Sequence, residues 1–430
     1  MKILFLLFVL SVVTVSAAGP TPVQPPDIAP LLRKPLTIDS AVRIALLNNR
    51  TLQATFEDIG LSQADLQEAR QIANPSLDLT LKFPDRSPSG ALTEWGLMQN
   101  FLDVLMIPLR TAVAKNELAA VEARVADVTT QTVAEVKISF IQIQADIAVG
   151  EKLTANLAAR RVSLEFAQKL HAAGNITDLA LLTEQAAYSS ARLEIAKATA
   201  DAREHREDLN RLLSLWGPQT NWKITVPLPD IPDNLPSVAH LESLAVANRR
   251  DLAAARFDLE SAMRSSGLAK NFRFLGGLGF GLVGEHEPDG GNLNGASLSI
   301  ELPIFNQGQA RISRSQARFR KAARQFEGLA IDIRSDTRTL RDRLLAEADM
   351  ARFFREDAVP TRQKIVALTL QKYNAMITGA FELFAARREA IEAERNLIEA
   401  TRDYWLTHAR LERTVGGDLA ATVQASIHRK

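Results

Sequence analysis

Glu285, His286 and Glu287 stand side by side within VGEHEPDGGNLNG, and they are residue types that ligate metal ions. Three adjacent polar side chains in a loop are ordinarily solvated, and nothing in this spacing makes them converge. The six histidines fall far apart, at 171, 205, 240, 286, 408 and 428, and the chain has no cysteine, so the spacing of a structural zinc site is absent. His205 with Glu207, and His240 with Glu242, are isolated pairs that build no acid–base constellation. The glycines between 276 and 284 lack the lysine and the serine or threonine of a phosphate-binding loop. No enzyme, cofactor or resident metal is expected, so function must lie in the surfaces the chain presents.

The chain balances 51 basic against 50 acidic side chains, which implies no nucleic-acid partner. Abundant alanine with only 6% aromatics suits long, closely packed helices. The N-terminus, MKILFLLFVLSVVTVSAAGP, reads as a secretory signal peptide over 1–17, cut after Ala17 or Ala18. Its apolar run, Ile3 to Val13, is too short to span a bilayer, and no later stretch of about 18 apolar residues exists. With no cysteine there are no disulfides and no residue for an N-terminal lipid anchor, so packing or assembly must hold the exported chain together.

Two elements interrupt the helical pattern in the same way. SLDLTLKF (76–83) places Leu77, Leu79, Leu81 and Phe83 on one face of a strand and Ser76, Asp78, Thr80 and Lys82 on the other. A turn-rich loop and a second strand at about 92–99 complete a hairpin. Farther on, strands at about 275–283 and 296–302 flank the long loop that holds His286. An internal repeat at an offset of 200 residues aligns Ile44, Ala45, Asn48, Arg50 and Leu52 with Leu244, Ala245, Asn248, Arg250 and Leu252. The expected organisation is therefore a signal peptide (1–17), an extended segment (18–35), a first repeat (36–217), a proline-rich linker (218–236), a second repeat (237–416) and a tail (417–430).

Each hairpin should lead into very long helices. From Arg110 to about Leu170 an apolar stripe continues for some 60 residues, which at 1.5 Å per residue is roughly 90 Å. The second half runs similarly from Arg311 to Asn374, bent at Pro360. Turns at 171–178 and 373–380 send both helices back. Four strands cannot close a barrel, so the economical arrangement pools strands from several copies, with leucines toward lipid and the polar face toward a lumen.

LTIDSAVRIALLNNRTL (36–52) resembles the opening signature of the TolC family of outer-membrane efflux proteins, through Leu36, Thr37, Ala41, Ala45, Leu46, Asn48, Asn49 and Leu52. Arg50 stands where that family usually has proline. Asn74-Pro75-Ser76, Leu302-Pro303-Ile304-Phe305 and both tip sequences extend the resemblance over the mature chain. It implies a mainly α protein with a β-barrel part: a homotrimer whose twelve-stranded barrel sits in outer-membrane lipid and continues as a twelve-helix periplasmic α-barrel. It also implies a periplasmic adaptor docked on the helix turns, an inner-membrane pump behind it, and an exit duct for efflux. Type I protein secretion is the alternative, and a periplasmic adaptor or helical scaffold fits less well because the chain is duplicated.

At the tips the resemblance assigns roles residue by residue. In KYNAMITGAFELF, Tyr373 and Glu382 match the family pattern, while Met376 stands where glycine is usual and Ala385 replaces a second acid. Glu382 is thereby expected at the narrowed tunnel end, where three copies would make an acidic ring. In the first tip Gly174 matches and Ala180 takes the acidic place, leaving nearby Asp178 as a substitute; Thr177 or Asp178 can instead cap the returning helix. Gly174, Asn175, Thr177, Tyr373, Met376, Thr378 and Gly379 are the expected adaptor-docking residues. LPIFNQGQARI (302–312) is similar to the heavy-metal branch, which leans the substrate toward cations.

Overall fold

A computed structural model describes residues 27–83, 85, 90–233, 240–271 and 277–417. The expected signal peptide, the first half of the extended segment (18–26) and all but the first residue of the tail lie outside these. Where 18–35 is described it is not wholly extended, because a short helix, α1 (Ala29–Leu32), forms there with Pro30 in its first turn.

Helix α2 (Ile38–Asn48) opens on a reciprocal cap, Thr37 and Ser40 each accepting from the other's backbone amide. The asparagine pair then ends one helix and begins another. Asn49 Oδ1 accepts from the Leu52 amide at 2.9 Å, capping α3 (Arg50–Arg70). Asn48 Nδ2 donates to the carbonyls of Leu213 and Ser214 at 2.8 and 3.0 Å, and Asn49 Nδ2 to Leu212 at 2.8 Å. The signature thus satisfies carbonyls at the end of a helix more than 160 residues away. Arg50, at the usual proline position, uses the amide that proline lacks: it donates to Ser214 Oγ at 3.1 Å.

Helix α3 stops at Arg70, where Gln71 is already extended, four residues short of the break expected at Pro75, and β1 (Ser76–Lys82) pairs antiparallel with β2 (Leu92–Asn100). Strand β2 passes without a loop into α4 (Phe101–Ala172), a single helix of 72 residues, about 108 Å at 1.5 Å per residue. It starts earlier than expected because Asn100 Oδ1 caps the Leu102 amide, and the helix continues through Pro108, an interior position where proline offers no amide to the Val104 carbonyl. Helix α5 (Asp178–Leu212) returns along α4.

The proline-rich linker is a strap. Trp222 is buried, donates to Asn210 Oδ1 at 2.7 Å and lies beneath the Arg206 guanidinium, 3.7 Å from its ring centre. Farther along, Gln144, Trp405 and Arg355 donate to the carbonyls of Val226 and Pro227, Pro229 and Ile231. Trp222 completes an apolar core with Leu36, Ile44, Phe140 and Leu209, and Ile231 enters a second with Leu252, Ile333, Leu344 and Tyr404.

The second half repeats the order. Helices α6 (Leu241–Asn248) and α7 (Arg250–Asn271) precede β3 (Leu278–His286) and β4 (Asn292–Ile300), then α8 (Gln309–Phe353), α9 (Val359–Asn374) and α10 (Ala380–Val415). Asn248 Nδ2 again donates to the end of the returning helix, at Val415 O, 3.4 Å. Gly416, at φ +84°, packs so closely there that a Cβ would lie 2.8 Å from that of Asn248. Between α8 and α9 the chain takes one wide π turn, Phe354–Ala358, directly before Pro360. Proline offers no amide to the carbonyl four residues back, and the wide turn accommodates its ring.

The strands of this half correct the expectation of 275–283 and 296–302. Most of the presumed long loop is strand, leaving only Glu287 to Gly291 as the turn, closed by Glu287 N to Gly291 O at 2.9 Å. Glycine weakens strand propensity but donates to a ladder like any residue, and its neighbours supply the missing side chains. All four strands form one antiparallel sheet in the order β1-β2-β3-β4, so β2 and β3 join the hairpins and β1 and β4 are its edges.

Candidate functional site

The register sorts the sheet into two faces. Leu77 opposes Leu97, Leu79 opposes Trp95, Leu97 also opposes Leu282, and Phe280 opposes Leu298. One face carries Leu77, Leu79, Leu81, Trp95, Leu97, Phe280, Leu282, Leu298 and Ile300, together with Thr93, Gln99, His286, Asn292 and Asn294. The other carries Ser76, Asp78, Thr80, Lys82, Glu94, Gly96, Gly281, Glu285, Gly295, Ser297 and Ser299, together with Leu92, Met98, Val283 and Leu293. Among the described residues no helix covers the apolar face: Leu77, Leu79, Leu81 and Phe83 are 68, 65, 54 and 76% exposed. On the opposite face Lys82 pairs with Glu94.

Two glycines are fixed by their neighbours across the strand. A Cβ on Gly284 would lie 2.4 Å from the Trp95 indole, and one on Gly281 2.2 Å from Met98 Sδ. The indole lies flat over Gly284 on the apolar face, and Met98 fills the space beside Gly281 on the polar one. The alternation that marks Leu77 to Phe83 in the sequence is also the signal for Trp95 and Leu97, Phe280 and Leu282, and Leu298 and Ile300. Glu285, His286 and Glu287 do not converge, because Glu285 and His286 occupy successive strand positions and face opposite ways. His286 Nδ1 instead meets Asn292 Oδ1 at 2.9 Å.

At the far end of the long helices the two tips have nearly the same backbone. Gly174 and Met376 both take the left-handed conformation, at φ +76° and +57°, after matching turns in which Gly174 N bonds His171 O and Met376 N bonds Tyr373 O. Met376 thus occupies a glycine conformation without being glycine, with its side chain 93% exposed. Thr177 Oγ1 caps α5 through the Ala180 amide at 3.3 Å, and Asp178 meets His171 Nε2 at 2.5 Å. In the second tip Gly379 takes the cap position, and Thr378 turns its hydroxyl to the Glu382 carboxylate. Glu382 has that partner and no ion pair with Arg387 or Arg388. Tyr373, Ile377 and Leu179 are exposed beside these turns, and Asn175 is also on the surface.

Just behind the tips, Phe166 of α4 meets Phe381 and Phe384 of α10, with ring centres 5.5 and 6.1 Å apart. Farther along, Lys152 Nζ bonds Glu394 Oε2 at 2.7 Å, Lys137 Nζ bonds Glu412 Oε2 at 2.8 Å, and Arg395 Nη1 bonds Glu194 Oε1 at 2.5 Å. Burial opposes the charge of Glu394, but its hydrogen bonds from Lys152 and Gln363 prevail and hold its carboxyl below the usual range. Asp127 goes the other way, raised first by burial and then by the neighbouring Asp251 carboxylate. These cross-hairpin contacts join residues more than 200 positions apart, so no local pattern announced them.

No protein-family profile matches the chain. A curated relative, the cobalt-zinc-cadmium resistance protein CzcC of Cupriavidus metallidurans, is 24% identical over 378 residues, 85% of each chain. Among solved structures, the outer-membrane channel CmeC of Campylobacter jejuni superposes with a TM-score of 0.75 at 13% identity, over 90% of this chain and 88% of its own. The outer membrane protein VceC of Vibrio cholerae superposes at 0.73 with 16% identity, over 89% and 96%. The fold is that of the TolC-family channels. The resemblance carried by Leu36 to Leu52 therefore holds across the described chain at the level of fold. Among the described residues no helix is long and apolar enough to cross a membrane, which places no limit on a spanning sheet.

Proposed function

We propose that this protein is the outer-membrane exit duct of a tripartite efflux pump. The observation that carries the reading is the uncovered two-faced sheet running straight into a helix of 72 residues. A soluble domain would cover those leucines, whereas a bilayer does so without any further element. Strands of seven to nine residues are about 23–30 Å long and, tilted by about 35–45°, rise about 16–25 Å, so the nine-residue strands approach the roughly 25 Å apolar band of an outer membrane.

Three copies would join β1 of one sheet to β4 of the next, turning three four-stranded sheets into one twelve-stranded barrel and removing every open edge. The twofold repeat within each chain would then surround the axis six times, and the long helices would continue the duct through the periplasm. Substrate diffuses through a water-filled lumen, and the energy is supplied by an inner-membrane pump through an adaptor docked at Gly174, Asn175, Thr177, Tyr373, Met376, Thr378 and Gly379. Glu382 from three copies would ring the aperture, with Asp178 the lesser contributor, and repulsion between these carboxylates opposes closure. The likeness to CzcC supports divalent metal cations as substrate.

Membrane fractionation followed by detergent sizing tests the reading. A heat-labile trimer in the outer membrane is expected, and a soluble periplasmic monomer would overturn it. For the aperture, Glu382→Ala should lower cation selectivity in a planar bilayer; unchanged selectivity would remove Glu382 from the constriction.

A further inference from the structure

Where the sheet gives way to helix, a hollow of about 560 Å³ is bounded by all four helices of that level, α3, α4, α7 and α8. Its α4 wall is the stripe Leu102, Met106, Arg110, Val113 and Glu117, which repeats every three or four residues. Phe101, Leu105 and Leu109, on the other side of α4, are exposed, and the Phe101 ring meets that of Phe280 on the apolar face of the sheet at 6.3 Å. The hollow also touches Asn100, on the polar strand face. It therefore opens on the side that the duct reading makes the lumen, away from lipid.

Four guanidiniums, Arg110, Arg311, Arg314 and Arg318, line this hollow with three carboxylates, Asp65, Asp103 and Glu117. Those carboxylates make few close contacts with Arg110, Arg314 and Arg318. Asp103 approaches only Arg110 Nη1, at 3.8 Å, and Glu117 accepts from Ser261 Oγ at 3.2 Å. Arg110 Nε and Nη2 are shielded from water and have no hydrogen-bond acceptor among the described residues. Closed to water as they stand, these two nitrogens meet an acceptor in the hollow only when the side chain turns into it, and the planar fork then suits two oxygens of one oxyanion. From Gln309 to Phe326 the α8 sequence has five arginines and a lysine with no acidic residue, so the field around the hollow is positive.

We propose that this hollow is a lumenal oxyanion site, with Arg110 as the fork and Arg314 and Arg318 as supporting charges, and that it takes phosphate- or carboxylate-bearing solutes. Its lumenal placement rests on the duct reading. Three copies would form a basic girdle directly below strands whose polar face carries Asp78, Glu94 and Glu285. A solute would then meet opposite charge in succession, which disfavours simple cation selectivity along the whole duct.

The test uses full-length protein in detergent with inorganic phosphate as probe and chloride at matched ionic strength as reference. Phosphate at about 10 mM should raise the melting midpoint of the wild type, because a ligand of the native state stabilises it by mass action. The Arg110→Gln/Arg314→Gln pair should lose the shift, Arg110→Lys should weaken it, and Arg324→Gln, outside the hollow, should keep it. In a planar bilayer, phosphate should reduce single-channel current through the wild type, with the apparent affinity falling about tenfold or more in the double variant. No midpoint shift, or a shift that survives in the double variant, overturns the site. A shift that needs the arginines without any effect on current overturns its lumenal placement. Absence of channel activity altogether would instead sink the duct reading, while the melting measurements still decide the site.

Discussion

Met376 holds a left-handed backbone that its side chain disfavours, while Gly174 performs the same turn without strain. That conformation costs a non-glycine residue about 1–2 kcal/mol, part of which glycine would forfeit through its freer unfolded chain. Met376→Gly is therefore expected to slow amide exchange at Ile377 and Thr378 by a factor of a few, consistent with about 1 kcal/mol of local stabilisation. If the exposed methionine contributes to docking, the same variant should weaken adaptor binding although its turn is firmer, and a pull-down with the adaptor separates the two effects. At the other end of the molecule, neighbouring strand residues answer different questions. Leu79→Lys puts a charge on the uncovered apolar face and should cost about 2–4 kcal/mol near a bilayer midplane, whereas Thr80→Lys faces the lumen. Outer-membrane recovery should collapse for Leu79→Lys and stay near wild type for Thr80→Lys; equal recovery would mean that the leucine face does not meet lipid.

Between those ends, helices joined by partly exposed ion pairs carry the structure. Glu394 has its carboxyl held below the usual range, chiefly by Lys152 and Gln363 working against burial, so it contributes stability above its unfolded pKa. That contribution fades as pH falls through the depressed folded value. Asp127, raised by burial and by Asp251, has the opposite sign: its ionisation works against the fold as pH rises. Glu394→Gln should flatten the acid limb of a melting profile below about pH 4.5, with a loss at neutral pH of about 1 kcal/mol or less because the pair is partly exposed. An unaltered acid limb would show that the pair does not couple the hairpins. Element boundaries also show what a sequence discloses. SLDLTLKF was legible because period 2 needs no context, and Pro75, Pro360 and the turn residues punctuate locally. Strand β3 defeats a local reading because its glycines borrow Trp95 and Met98 from β2, almost 200 residues away, and β4 because its Gly295 packs against Val283 of β3. The Phe166, Phe381 and Phe384 cluster stayed hidden for the same reason, as did the hollow around Arg110, which needs four helices to exist.

For the molecule as a whole, the decisive feature is that the sheet ends in two open edges, and its two faces require those edges to meet in only one sense. If β4 of one copy pairs with β1 of the next, residues on the same face become neighbours: Ser297 and Ser299 approach Ser76, Asp78 and Thr80, never Leu77 or Leu79. A one-residue slip would invert an entire strand and set leucines into the lumen, so alternation fixes the parity of the register even where its offset is free. The chain has no cysteine, so engineered pairs report without background. A disulfide needs Cα atoms about 4.4–6.8 Å apart, a spacing that directly opposed strand residues provide. Ser297→Cys should be combined in turn with Ser76→Cys, Asp78→Cys and Thr80→Cys, and with Leu77→Cys and Leu79→Cys as the opposite parity. Oxidation in isolated outer membranes should cross-link at least one of the first group and none of the second. Non-reducing gels should show species of one, two and three chains and nothing larger, because a heterologous contact that closes after three copies leaves no free edge. A ladder running past three chains would exclude a closed trimer, and cross-linking in both groups alike would mean that the two faces of the sheet are not held apart.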